Sequence, residues 1–284
     1  MILYNLLRVL LYFIIMILSI FNKKLLNFFK TRLFQKMENN NFLNNNEKAI
    51  LVHFSSVGEF NLSKELIEKI LQARKGEKNQ KVILSVMTDT GFSAVSKIYS
   101  EDKNVKIFYF PLDDFFAMKK IYKKYKIEKT IVVETEIWPN LYYFAQKNGQ
   151  LFIVNGRLTE KKLKSYLKFG WLIRKTLNCA TKIMVQSIPD KERYERLGID
   201  KNKIKVYKNL KYSIKYNKIS NEQKKYYLDT IIDKNKKVIV CGSTRPNEEK
   251  IWLEVFKMIN IDNEYQLVLV PRHLERLGEI ENII

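Results

Sequence analysis

Cysteine and histidine are scarce in this chain of 284 residues, which contains two of each. The two cysteines, Cys179 and Cys241, lie far apart and show no paired spacing. Structural zinc sites need closely spaced cysteine and histidine ligands, and secreted disulfide frameworks need several paired cysteines. The sequence therefore indicates neither kind of site, and it favours a reducing compartment.

Glycine-rich phosphate loops are also missing. The chain has nine glycines and five prolines, with no Gly-x-Gly-x-x-Gly turn and no Walker lysine turn. Those turns bind nucleotide phosphates through closely approaching backbone N–H groups. Their absence disfavours a nucleotide triphosphatase and a dinucleotide-dependent enzyme. Apolar residues make up 46% of the chain, which is enough for well-filled cores, so we do not expect a disordered protein.

Acidic residues are heavily outnumbered. Thirty Asp and Glu residues stand against 51 Lys and Arg residues, which leaves a formal net charge of +21. Such a charge reflects either compositional bias alone or attraction to an anionic partner, such as membrane phosphates, an acidic substrate or nucleic acid. Composition leaves these alternatives open.

The amino-terminal segment is strongly apolar. Residues 9–21 form a nearly uninterrupted apolar run, and extending it to the amino terminus gives about one bilayer span, interrupted by Asn5 and Arg8. Basic residues threaded with leucine and phenylalanine follow over residues 23–36, as is typical of an amphipathic helix on anionic headgroups. No cleavage site for a signal peptide follows, and the positive charge after the run exceeds that before it. We therefore expect residues 1–36 to be a retained membrane anchor, with the rest of the chain on the cytoplasmic side.

An Asn-rich linker over residues 37–47 is followed by short β-type runs that alternate with helical patterns. This alternation predicts an α/β domain with a parallel sheet and helices on both faces. The predicted strands cover residues 50–54, 82–86, 105–110, 130–133, 151–154 and 182–185. A second, shorter series has predicted strands at residues 204–207, 238–241 and 266–270. We therefore predict one complete domain over residues 48–206 and a partial one over residues 207–284.

Polar or charged side chains follow five of the strands in the first series, and a parallel sheet brings those strand ends to one edge. In open α/β sheets ligands bind at that edge. The most informative residues are Glu134 and Glu136, two carboxylates one residue apart directly after the apolar strand at residues 130–133. A solvated strand end is the ordinary interpretation of one acidic residue, but it fits two of them poorly. We interpret this segment as part of a ligand-binding cleft.

The turn after the first strand reads Ser56-Val57-Gly58-Glu59. Gly58 permits a tight turn or the close approach of a ligand. Glu59 falls in the first turn of the next helix, where the helix dipole favours a carboxylate whether or not it is catalytic. By itself, Glu59 is therefore open to a structural and a catalytic interpretation.

Other strand ends add weaker signals. Thr90 lies in a small polar turn that is equally consistent with a helix cap, and Arg157 brings a guanidinium to the same edge. In the second series, Ser243 and Thr244 precede a helix start, where backbone N–H groups suit a phosphate. The last predicted strand ends in further candidate phosphate ligands, Pro271 and Arg272.

Taken together, these turns resemble the 3-deoxy-D-manno-octulosonic acid (Kdo) transferases of lipopolysaccharide assembly. The resemblance covers nearly the whole chain, including the amino-terminal anchor. The matching segments, in order, are Ser56-Val57-Gly58-Glu59, Thr88-Asp89-Thr90-Gly91, Pro111-Leu112-Asp113, residues 134–140, Asn155-Gly156-Arg157-Leu158, Gln186-Ser187, Asn209-Leu210-Lys211-Tyr212, Gly242-Ser243-Thr244-Arg245 and residues 271–276. The segments at residues 134–140 and 271–273 are the specific ones.

The resemblance implies a GT-B glycosyltransferase with two Rossmann-like domains facing across a cleft, preceded by a membrane-anchor helix. Such an enzyme transfers Kdo from CMP-Kdo to a lipid A precursor (lipid IVA), with inversion at the sugar and without a metal or other cofactor. Glu59 would be the general base that takes the proton from the attacking sugar hydroxyl. Glu134 and Glu136 would form a second acidic site that supports the reaction or orients the acceptor.

The resemblance also implies a donor site. Pro271 and Arg272 match the CMP-binding segment, in which Arg272 would neutralise the donor phosphate, and Ser243 and Thr244 would line the same pocket. Family members continue well past this segment, so we expect residues 207–284 to be only part of the donor domain, in a shortened form of the enzyme.

The expected partners are CMP-Kdo, the lipid A precursor and an anionic membrane surface, at the cytoplasmic face of the inner membrane, and no nucleic acid partner is expected. Two alternatives stay open. One is another GT-B glycosyltransferase with a different nucleotide-sugar donor. The other is a non-catalytic basic protein that binds membranes or nucleic acid, which leaves the polar strand ends unexplained.

Overall fold

The structure is a computed structural model, and it describes residues 2–35, 42–43, 47–72, 80–213 and 219–284. Most of the predicted linker at residues 37–47 lies outside the described residues. The chain divides into two compact units, Met1–Ile214 and Lys215–Ile284.

The first unit contains seven strands and nine α-helices in its described residues. The strands are β1 (Ala49–Phe54), β2 (Lys81–Val86), β3 (Val105–Tyr109), β4 (Ile127–Val133), β5 (Gln150–Gly156), β6 (Lys182–Val185) and β7 (Ile204–Val206). The helices are α1 (Ile2–Ser19), α2 (Lys23–Leu33), α3 (Val57–Gln72), α4 (Asp89–Tyr99), α5 (Phe115–Tyr125), α6 (Pro139–Asn148), α7 (Glu160–Lys168), α8 (Gly170–Leu177) and α9 (Ile188–Arg196).

The strands form one parallel sheet in the order β3-β2-β1-β4-β5-β6-β7. Successive side chains of a strand point to opposite faces, and a parallel sheet is covered on both. Leu51 and Val132 accordingly belong to the hydrophobic cluster on one face, whereas Val52 and Val133 belong to the cluster on the other. This double burial is the reason that the central strands read as continuous apolar runs, and the six strands predicted in the first series are confirmed.

The seventh strand corrects the prediction. The sequence pattern groups residues 204–207 with the second series, although the predicted boundary after residue 206 leaves most of them in the first domain. In the structure, Ile204 and its neighbours pair in parallel with β6 of the first sheet. Ile204 is buried, whereas Lys205 and Val206 are exposed, as suits a short edge strand. A strand of three residues carries no signal in its own sequence about which sheet it joins.

The amphipathic helix α2 corrects a second expectation. The amphipathic pattern over residues 23–36 places its basic residues, Arg32 among them, on headgroups, but the Arg32 side chain is fully buried. Its guanidinium donates to the backbone carbonyl of Met87 at 2.6 Å and to the Asp89 carboxylate at 2.9 Å, and it stacks over the Phe28 ring. Arg32 therefore fixes α2 to the start of α4 instead of facing a membrane.

The second unit has a two-stranded parallel sheet in its described residues. Its elements are α10 (Asn221–Thr230), β8 (Lys237–Thr244), α11 (Glu248–Ile259), β9 (Tyr265–Pro271) and α12 (Leu277–Glu281). The strands predicted at residues 238–241 and 266–270 lie within β8 and β9, and both are longer than predicted.

Apolar side chains stay exposed in the second unit, with Val240 at 61%, Ile251 at 59% and Met258 at 74% of their full exposure. Both hydrophobic clusters found among the described residues lie in the first unit. Because local stability follows buried apolar contacts, we expect the amides of β8 and β9 to exchange with deuterium faster than those of β1 and β4. Hydrogen exchange with mass spectrometry measures this difference, and equal protection in the two sheets would contradict it.

Candidate active site

The sheet reverses its winding direction between β1 and β4. From β1 the strand order runs outward through β2 and β3, and from β4 it runs the other way through β5 to β7. In open α/β sheets such a reversal leaves a crevice at the carboxyl ends of the two central strands. Glu59 follows β1, and Glu134 and Glu136 follow β4. The fold thus brings the three predicted acidic residues to one crevice.

The carboxylate of Glu59 closes the first turn of α3. The backbone N–H groups of Ser55 and Ser56 both donate to its Oε2 atom, the latter at 3.2 Å. In return, the Ser56 hydroxyl accepts from the backbone N–H of Glu59 at 3.4 Å. This reciprocal arrangement is a capping box. It occupies Oε2 and leaves Oε1 without a hydrogen-bond partner among the described residues.

The pKa of Glu59 lies far above the ordinary value for glutamate. Burial raises it, hydrogen bonds from the backbone of Ser55 and Ser56 act in the opposite direction, and the charges of Glu136 and Glu134 raise it further, to about 7. A general base works best when its pKa is close to the working pH. The environment of Glu59 meets that condition.

The acidic loop, defined here as residues 134–138, is held from several sides. Glu134 adopts a left-handed backbone with φ of 61°, which is uncommon for a residue other than glycine. The Thr135 hydroxyl donates to the Arg157 carbonyl at 2.6 Å and accepts from the Arg157 N–H at 3.0 Å. The Trp138 indole donates to the Glu136 carboxylate at 3.1 Å. These contacts fix where the two carboxylates lie.

Two buried tyrosines that the sequence analysis did not single out complete this support. The Tyr142 hydroxyl donates to the backbone carbonyl of Glu136 at 2.8 Å. The Tyr194 hydroxyl lies 3.0 Å from that of Thr135. Both rings are fully buried, so the loop rests on packed side chains.

Asp113, which the sequence offered only as part of a matching segment, has a structural role in this site. Helix α6 begins at Pro139 directly after the acidic loop, and the residue before it, Trp138, gives no side-chain cap. The Asp113 carboxylate supplies the cap instead, accepting from the backbone N–H groups of Asn140 at 2.9 Å and Leu141 at 2.8 Å. A helix start without a capping side chain of its own was the available signal, because its free N–H groups need a partner elsewhere.

The remaining cleft residues have mixed positions. Ser56 belongs to the capping box, and Thr90 is exposed in the first turn of α4. Arg157 is exposed, and its guanidinium makes no hydrogen bond within the described part of the chain. Gly58 lies inside α3, where an added Cβ would meet only the Ser56 hydroxyl, at an ordinary 3.7 Å. The prediction of a tight turn is therefore wrong, and the close approach of a ligand at Gly58 stays a prediction.

The predicted donor residues lie together in the second unit. Thr244 ends β8 and pairs with Pro271 at the end of β9. The backbone N–H of Arg272 donates to the Thr244 carbonyl at 3.0 Å, and its side chain is exposed. Ser243 is exposed and left-handed, with φ of 64°. The two strand ends therefore form one polar edge, at which the Arg272 guanidinium is exposed.

An ion pair between Arg276 and Glu249 lies next to this edge. Glu249 is fully buried and receives two hydrogen bonds from the Arg276 guanidinium, at 3.0 and 3.1 Å. Arg276 lowers the pKa of Glu249 to about 2, so this carboxylate is ionised at neutral pH. Glu249 is therefore a structural counterion of Arg276. Within the described ranges, no group of three or more His, Cys, Asp or Glu side chains could hold a metal ion.

The negative charge of Glu136 should have a measurable effect on the pKa of Glu59. Because Glu136 contributes more than Glu134 to the raised pKa of Glu59, we expect Glu136→Gln to lower that pKa, and Glu134→Gln to lower it less. Titration of the Glu59 carboxyl by ¹³C NMR, assigned with Glu59→Gln, measures the midpoint. An unchanged or higher midpoint in Glu136→Gln would contradict the assigned cause.

Solved structures with a similar architecture include an epimerase and a glycosyltransferase. The chain superposes on a UDP-GlcNAc 2-epimerase from Neisseria meningitidis with a TM-score of 0.56 and 14% identity, over 83% of this chain and 68% of that one. A glycosyltransferase from Rickettsia africae gives a TM-score of 0.52 and 17% identity, over 84% and 65%. These likenesses show the fold: a parallel α/β architecture of the kind found in GT-B glycosyltransferases and related epimerases.

The sequence identifies the family within that class. Residues 29–214 match the family model of 3-deoxy-D-manno-octulosonic-acid transferase (kdotransferase), and the chain belongs to this family. It is 40% identical over 239 residues to a bifunctional glycosyltransferase/methyltransferase from Fusobacterium nucleatum. It is 27% and 25% identical to 3-deoxy-D-manno-octulosonic acid transferases from Rickettsia typhi and Chlamydia trachomatis. These matches cover 83–84% of this chain but only 36%, 49% and 54% of the three relatives.

Proposed function

We propose that the protein is an inverting glycosyltransferase that transfers Kdo from CMP-Kdo to a lipid A precursor such as lipid IVA, in assembly of the lipopolysaccharide core. The observation that carries the proposal is the Glu59 carboxylate. It lies at the switch point of the sheet with a pKa of about 7, one oxygen held by the capping box and the other without a partner among the described residues.

In this proposal Glu59 is the general base. A sugar hydroxyl of the acceptor attacks the anomeric carbon of Kdo while its proton passes to the Glu59 carboxylate. The new bond joins the acceptor oxygen to that carbon, and the bond from the carbon to the phosphate oxygen breaks, which releases CMP. Glu134 and Glu136 orient the acceptor hydroxyl and keep the pKa of Glu59 near neutrality.

The donor would bind to the second unit. Arg272 is exposed beside Thr244 and Pro271, so its guanidinium can pair with the phosphate of CMP-Kdo and stabilise the departing CMP. Ser243 offers an exposed hydroxyl at the same edge, whereas the side chain of Thr244 is buried and only its backbone lies at that edge. The mechanism assigns no role to a metal or another cofactor.

The proposed site of action is the cytoplasmic face of the inner membrane. Helix α1 has 18 residues with a mean hydropathy of 2.1, and it is the one helix of the described residues that is long and apolar enough to cross a bilayer. A lipid acceptor is itself held in the membrane, so an apolar helix on the enzyme keeps the enzyme and its acceptor together.

A transfer assay tests the proposal. The protein in detergent is incubated with labelled CMP-Kdo and lipid IVA, with and without EDTA, and label on the lipid is measured. We expect transfer in both samples. Transfer only from a UDP- or GDP-sugar in a parallel panel would favour another glycosyltransferase. Salt-sensitive liposome binding, with no transfer and no affinity for CMP by calorimetry, would favour a non-catalytic membrane protein.

A further inference from the structure

Helix α1 carries a stripe of polar side chains along an otherwise apolar surface. The stripe consists of Tyr4, Asn5, Arg8 and Tyr12, whose spacing places them on one side of the helix. The leucines, isoleucines and phenylalanine on its other sides are largely exposed. The sequence presents Asn5 and Arg8 as interruptions of an apolar span. In the structure they belong to the polar stripe, which faces the protein, and the apolar sides of the helix are continuous.

Three residues of the polar stripe contact the turn after β3. The Tyr4 hydroxyl donates to Asp113 Oδ2 at 2.8 Å. The Arg8 guanidinium, only 6% exposed, forms an ion pair with Asp114 at 2.8 Å. The Tyr12 hydroxyl donates a hydrogen bond to the backbone carbonyl of Leu112.

The fourth residue of the stripe reaches α6. The Asn5 side-chain amide donates to Asn140 Oδ1 at 3.2 Å, and the Asn140 amide donates back to Asn5 Oδ1 at 2.8 Å. Asn140 is fully buried, and its amide also donates to the Asp113 carbonyl at 2.6 Å. The stripe therefore contacts both Asp113, which caps α6, and the second residue of that helix.

We propose that α1 is a positioning element for the acidic loop, in addition to being an apolar anchor. Asp113 and Asn140 are shared between the polar stripe and the start of α6, and the acidic loop (residues 134–138) ends directly at that start. Docking of α1 thus holds the end of the loop that carries Glu136. The docking stands on the contacts alone, whereas its effect on transfer rests on the proposed function.

Hydrogen exchange tests the docking without any need for activity. We expect the double variant Asn5→Leu, Arg8→Leu to speed exchange in residues 134–142 by about tenfold, because the capped start of α6 opens more often. The matched control is Leu7→Ser, Leu10→Ser, which changes exposed apolar positions of the same helix. In the control, liposome binding should fall and exchange in residues 134–142 should stay as in the native chain.

Two results would overturn the proposal: unchanged exchange in the polar-stripe variant, or equal acceleration in the stripe variant and the control. If the double variant does not fold, Tyr4→Phe removes one hydroxyl and no bulk, and it should accelerate exchange of the same peptide more than Tyr143→Phe, an exposed tyrosine of α6. In the transfer assay, the stripe variant should raise the KM for the lipid more than that for CMP-Kdo. An inactive native chain would reject the proposed function, while the exchange data would still decide the docking.

Discussion

Replacement of Glu59 by glutamine should lower the rate of Kdo transfer by about 10²–10⁴-fold, the usual contribution of a general base. Glutamine suits the test because it can replace glutamate in a capping box, so the Oε2 contacts with the backbone of Ser55 and Ser56 can persist. The matched control is Ser56→Ala, which removes the hydroxyl half of the box and keeps the carboxylate. It should cost about 1 kcal/mol of stability and much less activity. Equal loss of activity in both variants would assign Glu59 a structural role.

The same substitution should stabilise the protein at alkaline pH. The folded pKa of Glu59 is raised from 4.5 to about 7, so the folded carboxyl still holds its proton at pH values where the unfolded one has released it. Native stability therefore falls as the pH rises from about 4.5 to about 7. Glutamine cannot ionise and escapes this loss.

The size of the effect is modest because Glu59 is partly exposed. Each pKa unit corresponds to about 1.4 kcal/mol, and solvent screening reduces the total. We therefore expect the stability difference between Glu59→Gln and the native protein to shift in favour of the variant by about 1–2 kcal/mol from pH 4 to pH 8. Urea unfolding of the first unit at the two pH values measures the difference. If the variant is more stable than the native protein by the same amount at both pH values, the charge of Glu59 is not the cause of the difference.

Replacement of Asp113 by alanine should be among the most destabilising single changes in the first unit. Asp113 is fully buried and accepts hydrogen bonds from Asn140, Leu141 and Tyr4. Without the carboxylate, two backbone N–H groups and a hydroxyl lose their partner inside the protein. Since each unsatisfied buried group costs about 1–3 kcal/mol, we expect a loss of about 3 kcal/mol or more.

An ordinary cap provides the comparison for Asp113→Ala. Thr159 caps the exposed helix α7 by accepting from Lys162 at 3.3 Å, and Thr159→Ala should cost about 1 kcal/mol. Urea unfolding of both variants gives the two free energies. A loss for Asp113→Ala no larger than that for Thr159→Ala would mean that water or another side chain replaces the cap.

Much of the first unit was predictable because its signals are local. The strands at residues 50–54 and 130–133 are buried on both faces, so each must be apolar throughout. The Ser56–Glu59 spacing is itself the signature of a capping box, a more specific signal than the general preference for a carboxylate near a helix start. In contrast, Arg32 and β7 were misplaced. An amphipathic pattern does not show which basic side chain packs against the α/β domain. A strand of three residues carries too little sequence to show which sheet it joins.

The sequence by itself determined the alternation of strands and helices, the acidic residues at the strand ends and the apolar character of the amino-terminal helix. These depend on residues that are neighbours along the chain, where periodicity and capping motifs record the structure. Only the tertiary structure decided that Asp113 caps a helix 27 residues away, and that Asn5 pairs with Asn140 from 135 residues away. Hydrogen bonds between distant segments leave no period in the sequence, so folding alone brings the polar stripe of α1 to Asp113 and the start of α6.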